Sequence, residues 1–237
     1  MYIPAAFAVT DPAEIAAMLA RARLATLVTQ GPEGLYASHL PMIHQPERGA
    51  LVGHLARTNP HRARAGDGEA LAIFELGEAY VSPAYYPSRA TGRVVPTWNY
   101  EVVHVYGRLT WHDEADWLGD NVAALTARFE AARDRSPWSL AEAQADYLAG
   151  MVRGTVGVEL AIGRIEAKRK LSQNRTPADR DGAIAALSAS DRDEDRAVAA
   201  SMRRLYGPEQ QPRSIGEADA DSPAGLPIYP TAQDDGS

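Results

Sequence analysis

The chain has 237 residues, 45% of them hydrophobic, and its 24 basic against 31 acidic residues give a net charge of −7. That length is enough to bury a core in one large domain or two small ones, and no run approaches the ~20 apolar residues of a membrane-spanning helix. The absence of cysteine excludes disulfides, thiolate metal sites and cysteine nucleophiles.

Residues 1–7 lack the basic start and long apolar stretch of a secretion signal, so a cytoplasmic protein is expected. Asp11, Pro12 and Glu14 then predict a capped helix running to about Arg23, with Ile15, Met18 and Leu19 as its apolar stripe. Residues 24–29 and 35–42 read as strands of a hairpin turned by residues 31–34, and 50–55 as a third strand. Asn59-Pro60 marks a helix start. Two further strands, 70–76 and 79–82, are separated by Gly77, and a loop at 88–92 leads into a β-rich run at 93–107.

The second half changes character. Leu118, Val122, Leu125 and Phe129 fall at helical spacing between Asp116 and about Arg133, and Ser139 with Glu142 caps a helix to about Val152. Residues 154–165 alternate as one more strand, and helices follow at 177–187 and from Asp191 to about Leu205. Beyond Gly207 the chain is rich in Pro, Gly and acids. Six acids there face Arg213 alone, which accounts for five of the seven net negative charges. That tail is expected to be unstructured. Frequent short strands with turn signals argue for an antiparallel sheet closing into a barrel, in a mainly β chain with peripheral helices.

The run 93–107 is the most informative. Alternation puts Trp98, Tyr100, Val102, His104 and Tyr106 on one side, and Asn99, Glu101, Val103 and Val105 on the other. Aromatic surfaces with hydrogen-bonding tips suit a planar, polar-edged ligand, and equally suit a half-buried strand whose aromatics simply pack. Where residues 53–61 pass from strand to helix start, Arg57 offers a fork for phosphate, Thr58 a hydroxyl and Asn59 a polar contact. A capped surface helix with a solvated arginine reads the same way. Ser38 and His39 point to opposite faces of one strand, so serine hydrolase chemistry is not expected. No metal-ligand spacing of histidines occurs. Residues 163–175 hold five cations and one acid; a solvated basic loop is the default there, then a phosphate or dimer contact, then DNA. The helix at 11–23 is followed by a strand, where a helix-turn-helix would place a recognition helix.

Taken together, several blocks resemble the PaiB-type family, the FMN-binding negative transcriptional regulators of the flavin split-barrel superfamily. They include Met1-Tyr2-Ile3-Pro4, His39-Leu40-Pro41, Gly53-His54-Leu55-Ala56-Arg57-Thr58-Asn59-Pro60, Val95-Pro96-Thr97-Trp98-Asn99-Tyr100 and Lys170-Leu171-Ser172-Gln173-Asn174-Arg175. The resemblance covers roughly residues 1–187, leaving a C-terminal helix at 188–206 and the acidic tail at 207–237 outside it. It implies a six-stranded antiparallel Greek-key split barrel that works as a homodimer, with FMN in a cleft between protomers. Carried onto this sequence, the cofactor-binding candidates are His39, Arg57, Thr58, Asn59, Trp98, Asn99 and Tyr100, with Lys170, Gln173 and Asn174 reaching in from the partner.

The leading expectation is therefore a dimeric FMN-binding protein of the transcriptional-regulator type. Alternatives are a flavin-dependent oxidoreductase using NAD(P)H, in which the flavin carries the hydride, and a haem-binding or haem-degrading protein with His54 or His104 as the iron ligand. A repressor contacting DNA through residues 168–175 has the charge balance against it.

Overall fold

The computed structural model describes residues 1–131, 133 and 136–207; the acidic tail lies outside the described residues from Pro208 onward. A two-residue strand, β1 (Ala8–Val9), precedes α1 (Pro12–Arg21). The α1 start is as predicted: the Asp11 carboxylate accepts the Ala13 N–H at 2.8 Å, and Met18 and Leu19 face inward. Then β2 (Leu24–Gly31) and β3 (Gly34–Gln45) form a hairpin in which Gly31 pairs with Gly34. Gly34 leaves that turn at a φ of +106°, a conformation open to glycine at little cost. β4 (Ala50–Ala56) follows, and the helix signalled by Asn59-Pro60 is a single turn, α2 (His61–Arg64).

Gly77 does not break the next strand. β5 (Ala70–Val81) runs through it, because Gly77 takes a φ of +140° and absorbs a β-bulge between Glu75 and the following pair. The aromatic strand, β6 (Thr97–His112), starts later and runs further than its β-rich composition suggested. α3 (Ala115–Glu130) comes next. The expected capping box at Ser139 and Glu142 is present, but it closes a 3-10 turn, and the helix proper is α4 (Ala145–Arg153). β7 (Thr155–Lys170) overruns its predicted end, so most of the basic stretch is strand and not loop. α5 (Pro177–Ser188) and α6 (Asp193–Tyr206) complete the described chain.

All strand pairs are antiparallel. The sheet order is β1-β7-β4-β3-β2-β5-β6, and β6 pairs again with β7. Six strands thus close a barrel, with β1 as a seventh, short strand paired to Ala167 and Lys168 of β7. β5 returns beside β2 after the β2–β3–β4 meander, which is the Greek-key connection. The expected class holds, and β1 is the strand that sequence reading did not count.

Leu27, Leu40, Met42, Leu51, Phe74, Val103, Val105, Val158 and Leu160 fill the barrel, and α1 plugs one opening with Met18 and Leu19. A second apolar cluster joins Val81, Tyr86 and Leu171 to Ala183, Leu187, Val198 and Met202, and so fixes α5 and α6 against β5. Along β6 it is Asn99, Glu101, Val103 and Val105 that turn inward. Trp98 and its row remain on the outside of the barrel.

Candidate functional site

Two groups of candidate residues emerge at opposite ends of β6 and β7. At the first, β4 ends beside the start of β7, and the Arg57 N–H donates to Gly154 O at 2.8 Å. The Arg57 side chain donates to Arg153 O at 2.9 Å and to Asp113 Oδ1 at 2.6 Å. Arg62, on α2, donates to both oxygens of the same Asp113, at 2.9 and 2.7 Å. These hydrogen bonds, Arg57 first and Arg62 next, hold the Asp113 carboxyl below its ordinary range. Two guanidinium groups share one carboxylate in an exposed corner and keep spare N–H donors beside the exposed Thr58, with the Glu114 carboxylate accepting the Asp113 N–H at 3.1 Å.

The helix start itself contributes nothing to that corner. α2 is one turn long, and the His61 N–H is already taken by Asn59 Oδ1 at 2.9 Å. Asn59 also donates to Ser38 Oγ at 3.3 Å, which ties the corner to the barrel wall. Beneath it His61 is fully buried, with Nδ1 2.8 Å from Ser38 Oγ and Nε2 3.0 Å from Thr29 Oγ1. Burial lowers its pKa and keeps the ring neutral.

At the far end the outer face of β5, β6 and β7 carries aromatics and lysines. Tyr80 pairs with Trp98 across the strands, their rings 6.0 Å apart and edge-on, each about half exposed. Tyr100 pairs with Lys170, and Lys168 Nζ stands 5.1 Å from the Tyr100 ring centroid. Lys170 donates to Thr97 Oγ1 at 2.6 Å and to Trp98 O; burial first, then Lys168 and Arg175, lower its pKa. This face offers flat π surfaces with cations beside them.

The remaining candidates divide. Asn99 is fully buried on the inward side, away from Trp98 and Tyr100, and donates to Ser172 Oγ at 3.0 Å. It thereby steadies Ser172, a non-glycine at a φ of +70°. Gln173 folds back on its own turn, its Oε1 accepting the Leu171 N–H at 2.7 Å, while Asn174 is exposed beside it. His39 lies on the outer face of β3, with Nδ1 3.0 Å from Thr26 Oγ1. Register carries that row through Thr26, Ile73 and His104 to Glu166, between the two ends.

Arg57 and Trp98 therefore do not meet within one protomer: roughly 40 Å of strand separates Tyr100 from Asp113. Sequence reading missed Arg62, Asp113 and Tyr80, and placed Lys168 only in the stretch of the DNA-contact alternative. Tyr80 and Lys168 carried the alternation of their strands and were within reach of that signal; Asp113 had no local one.

The family model described as "Putative FMN-binding domain" matches residues 1–164. The chain is 33% identical over 182 residues to the protease synthase and sporulation protein PAI 2 of Bacillus subtilis, covering 76% of this chain and 85% of that protein. Among solved structures, the FAD and heme binding protein of Mycobacterium smegmatis superposes with a TM-score of 0.50 at 19% identity, covering 93% of each chain. The flavocytochrome Anf3 of Azotobacter vinelandii gives 0.52 at 13% identity, over 94% of this chain and 88% of that one. At such identities these two structures speak for the fold alone.

Proposed function

Because the chain belongs to the PaiB-type FMN-binding family, we propose that it is a homodimeric split-barrel flavoprotein, binding FMN between protomers and acting as a regulator of the transcriptional-regulator type. The observation that carries this reading is the separation of the two half-sites. An anion corner at Arg57 and Arg62 and an aromatic–lysine face at Trp98, Tyr100 and Lys170 are chemically what FMN needs, yet one protomer cannot bring them to one ligand. A two-fold dimer sets the same patch against itself, so one copy's corner faces the other copy's aromatic strand. The phosphate goes to Arg57 and Arg62, and the isoalloxazine ring to Trp98 and Tyr100 of the second copy.

Regulation through a partner contact fits better than direct DNA reading. Of the basic stretch, Arg164 is paired with Glu69 and Glu166, and Arg169 with Glu14 and Glu101. Lys168 and Lys170 donate to Tyr2 O and Trp98 O. Two of its five cations are thus neutralised by carboxylates, and the two lysines are turned toward the aromatic face.

Complementation between two inactive variants tests the shared site. Arg57→Ala and Lys170→Ala each weaken FMN binding, followed by quenching of flavin fluorescence. Mixing the two after subunit exchange restores a fraction of tight sites, since each heterodimer keeps one intact corner facing one intact lysine. Unchanged affinity in both variants, or no recovery in the heterodimer, would sink the shared site.

A further inference from the structure

A trough runs along α6 and shares no residue with either half-site. Its wider part measures about 870 Å³ and lies between the end of α1, the bulge of β5, the end of α3 and Ala197 of α6. A narrower part of about 420 Å³ continues it past Ala20 and Arg21, which line both, to Ser201, Arg204 and Leu205. Ala197, Ser201, Arg204 and Leu205 recur at helical spacing, so one face of α6 follows the whole trough.

The charge of this trough is uneven. Arg21 and Arg169 are already paired with Glu101 and Glu14. Arg23, Arg128, Arg133 and Arg204 are exposed, and none has a carboxylate partner among the described residues; Arg204 donates to Ser201 Oγ at 2.7 Å. Against these four stands Glu75 alone. Three surplus positive charges thus gather in one trough of a chain whose net charge is −7. The floor is apolar, with Leu24 57% exposed and Leu76 and Phe129 half-buried beside it. Such a surface selects an occupant that carries acids next to an apolar group.

The chain itself supplies one. α6 ends at Tyr206, at the Arg204 end of the trough, and residues 208–237 continue from there. Within them Ile215 precedes Glu217, Asp219 and Asp221, with no base between. The 14 residues of α6 measure about 21 Å. Residues 208–217 span up to about 33 Å when extended, so these acids reach the far end of the trough. We propose that the segment 215–221 docks there, its carboxylates on Arg23, Arg128 and Arg133 and Ile215 on the apolar floor. Tethering gives it an effective concentration of order mM, which a weak contact needs to be occupied. The docking depends on neither FMN nor the dimer.

Because the chain has no cysteine, Ser222→Cys provides a single attachment point for a nitroxide just beyond the acids. Amide relaxation of the ¹⁵N-labelled full chain is then compared with the nitroxide oxidised and reduced. Strong broadening is expected at Leu24, Leu76 and Ala197, and far less at Leu35, at the other end of the β2–β3 hairpin. Arg23→Glu combined with Arg128→Glu reverses two exposed charges and should reduce that broadening about threefold or more. Glu217→Lys combined with Asp219→Lys alters no trough residue and should give the same loss; the melting temperature of each variant separates lost docking from lost fold. A mixture of ¹⁵N-labelled chains without nitroxide and unlabelled chains carrying it should leave the trough signals sharp. Uniform broadening, broadening that survives in either folded double variant, or equal broadening in the mixture, which would give the trough to a second copy's tail, would overturn the proposal.

Discussion

His61 Nδ1 lies 2.8 Å from Ser38 Oγ inside the barrel wall, in the fully buried ring that also meets Thr29 Oγ1 at 3.0 Å. The serine beside His39 in the chain thus finds its imidazole partner 23 residues away. Burial lowers the His61 pKa, so the unfolded chain takes up a proton near pH 6.5 before the folded one does. Stability is therefore full above about pH 6.5 and falls as the pH drops from there toward the folded value. His61→Phe leaves Ser38 and Thr29 without their partner and should cost about 2–4 kcal/mol. Denaturant midpoints between pH 7 and pH 5 should lose part of their pH dependence in that variant; an unaltered slope would show that folding does not shift the His61 pKa.

Glu101 is only 4% exposed and accepts from both Arg21, at 3.0 and 3.1 Å, and Arg169, at 2.9 Å. Burial by itself would raise its pKa; hydrogen bonds from Arg21, Ser201 and Arg169 and the charge of Arg21 outweigh it, so the pKa is lowered. A depressed carboxylate contributes stability above its unfolded pKa of about 4.3 and loses it as pH falls through the folded value. Glu101→Gln leaves two arginines facing a neutral group and should destabilise by about 3 kcal/mol or more. Chemical denaturation at pH 7 measures this, and a change below about 0.5 kcal/mol would mean that solvent replaces the pair.

Asp113 competes with any anion for Arg57 and Arg62. Asp113→Asn should therefore tighten FMN binding several-fold, whereas Arg57→Ala should weaken it about tenfold or more, since charge-assisted hydrogen bonds contribute about 1.5–3 kcal/mol. Opposite signs in the two titrations are the expected signature. Loss of affinity in both would make Asp113 a scaffold of the corner instead of a competitor.

Gly107 sits where β6 and β7 shift register, and a Cβ there would come within 1.9 Å of Ala161 O. The obstacle is backbone, with no flexible side chain to swing away. Gly107→Ala should cost about 3 kcal/mol or more by prying the closing strands apart. A thermal melt reports it; an unchanged melting temperature would show that the bulge has room to rearrange.

Much of the fold could be read from near neighbours along the chain. Asp11 with Pro12 announces α1, alternation separates Asn99 and Glu101 from Trp98 and Tyr100, and Ser139 with Glu142 makes its capping box. These features depend on residues a few positions apart, so a one-dimensional pattern contains them. Gly77 misled for the same reason: locally it reads as an interruption, and only pairing with β6 shows that a glycine at φ +140° keeps the strand whole. The closure of β6 on β7, the placing of Arg57 and Trp98 at opposite barrel ends, and the meeting of Arg57 and Arg62 on Asp113 were decided by tertiary structure alone. Strand register between segments 50 to 100 residues apart sets them, and register follows from packing the whole inward face rather than from any short run of sequence.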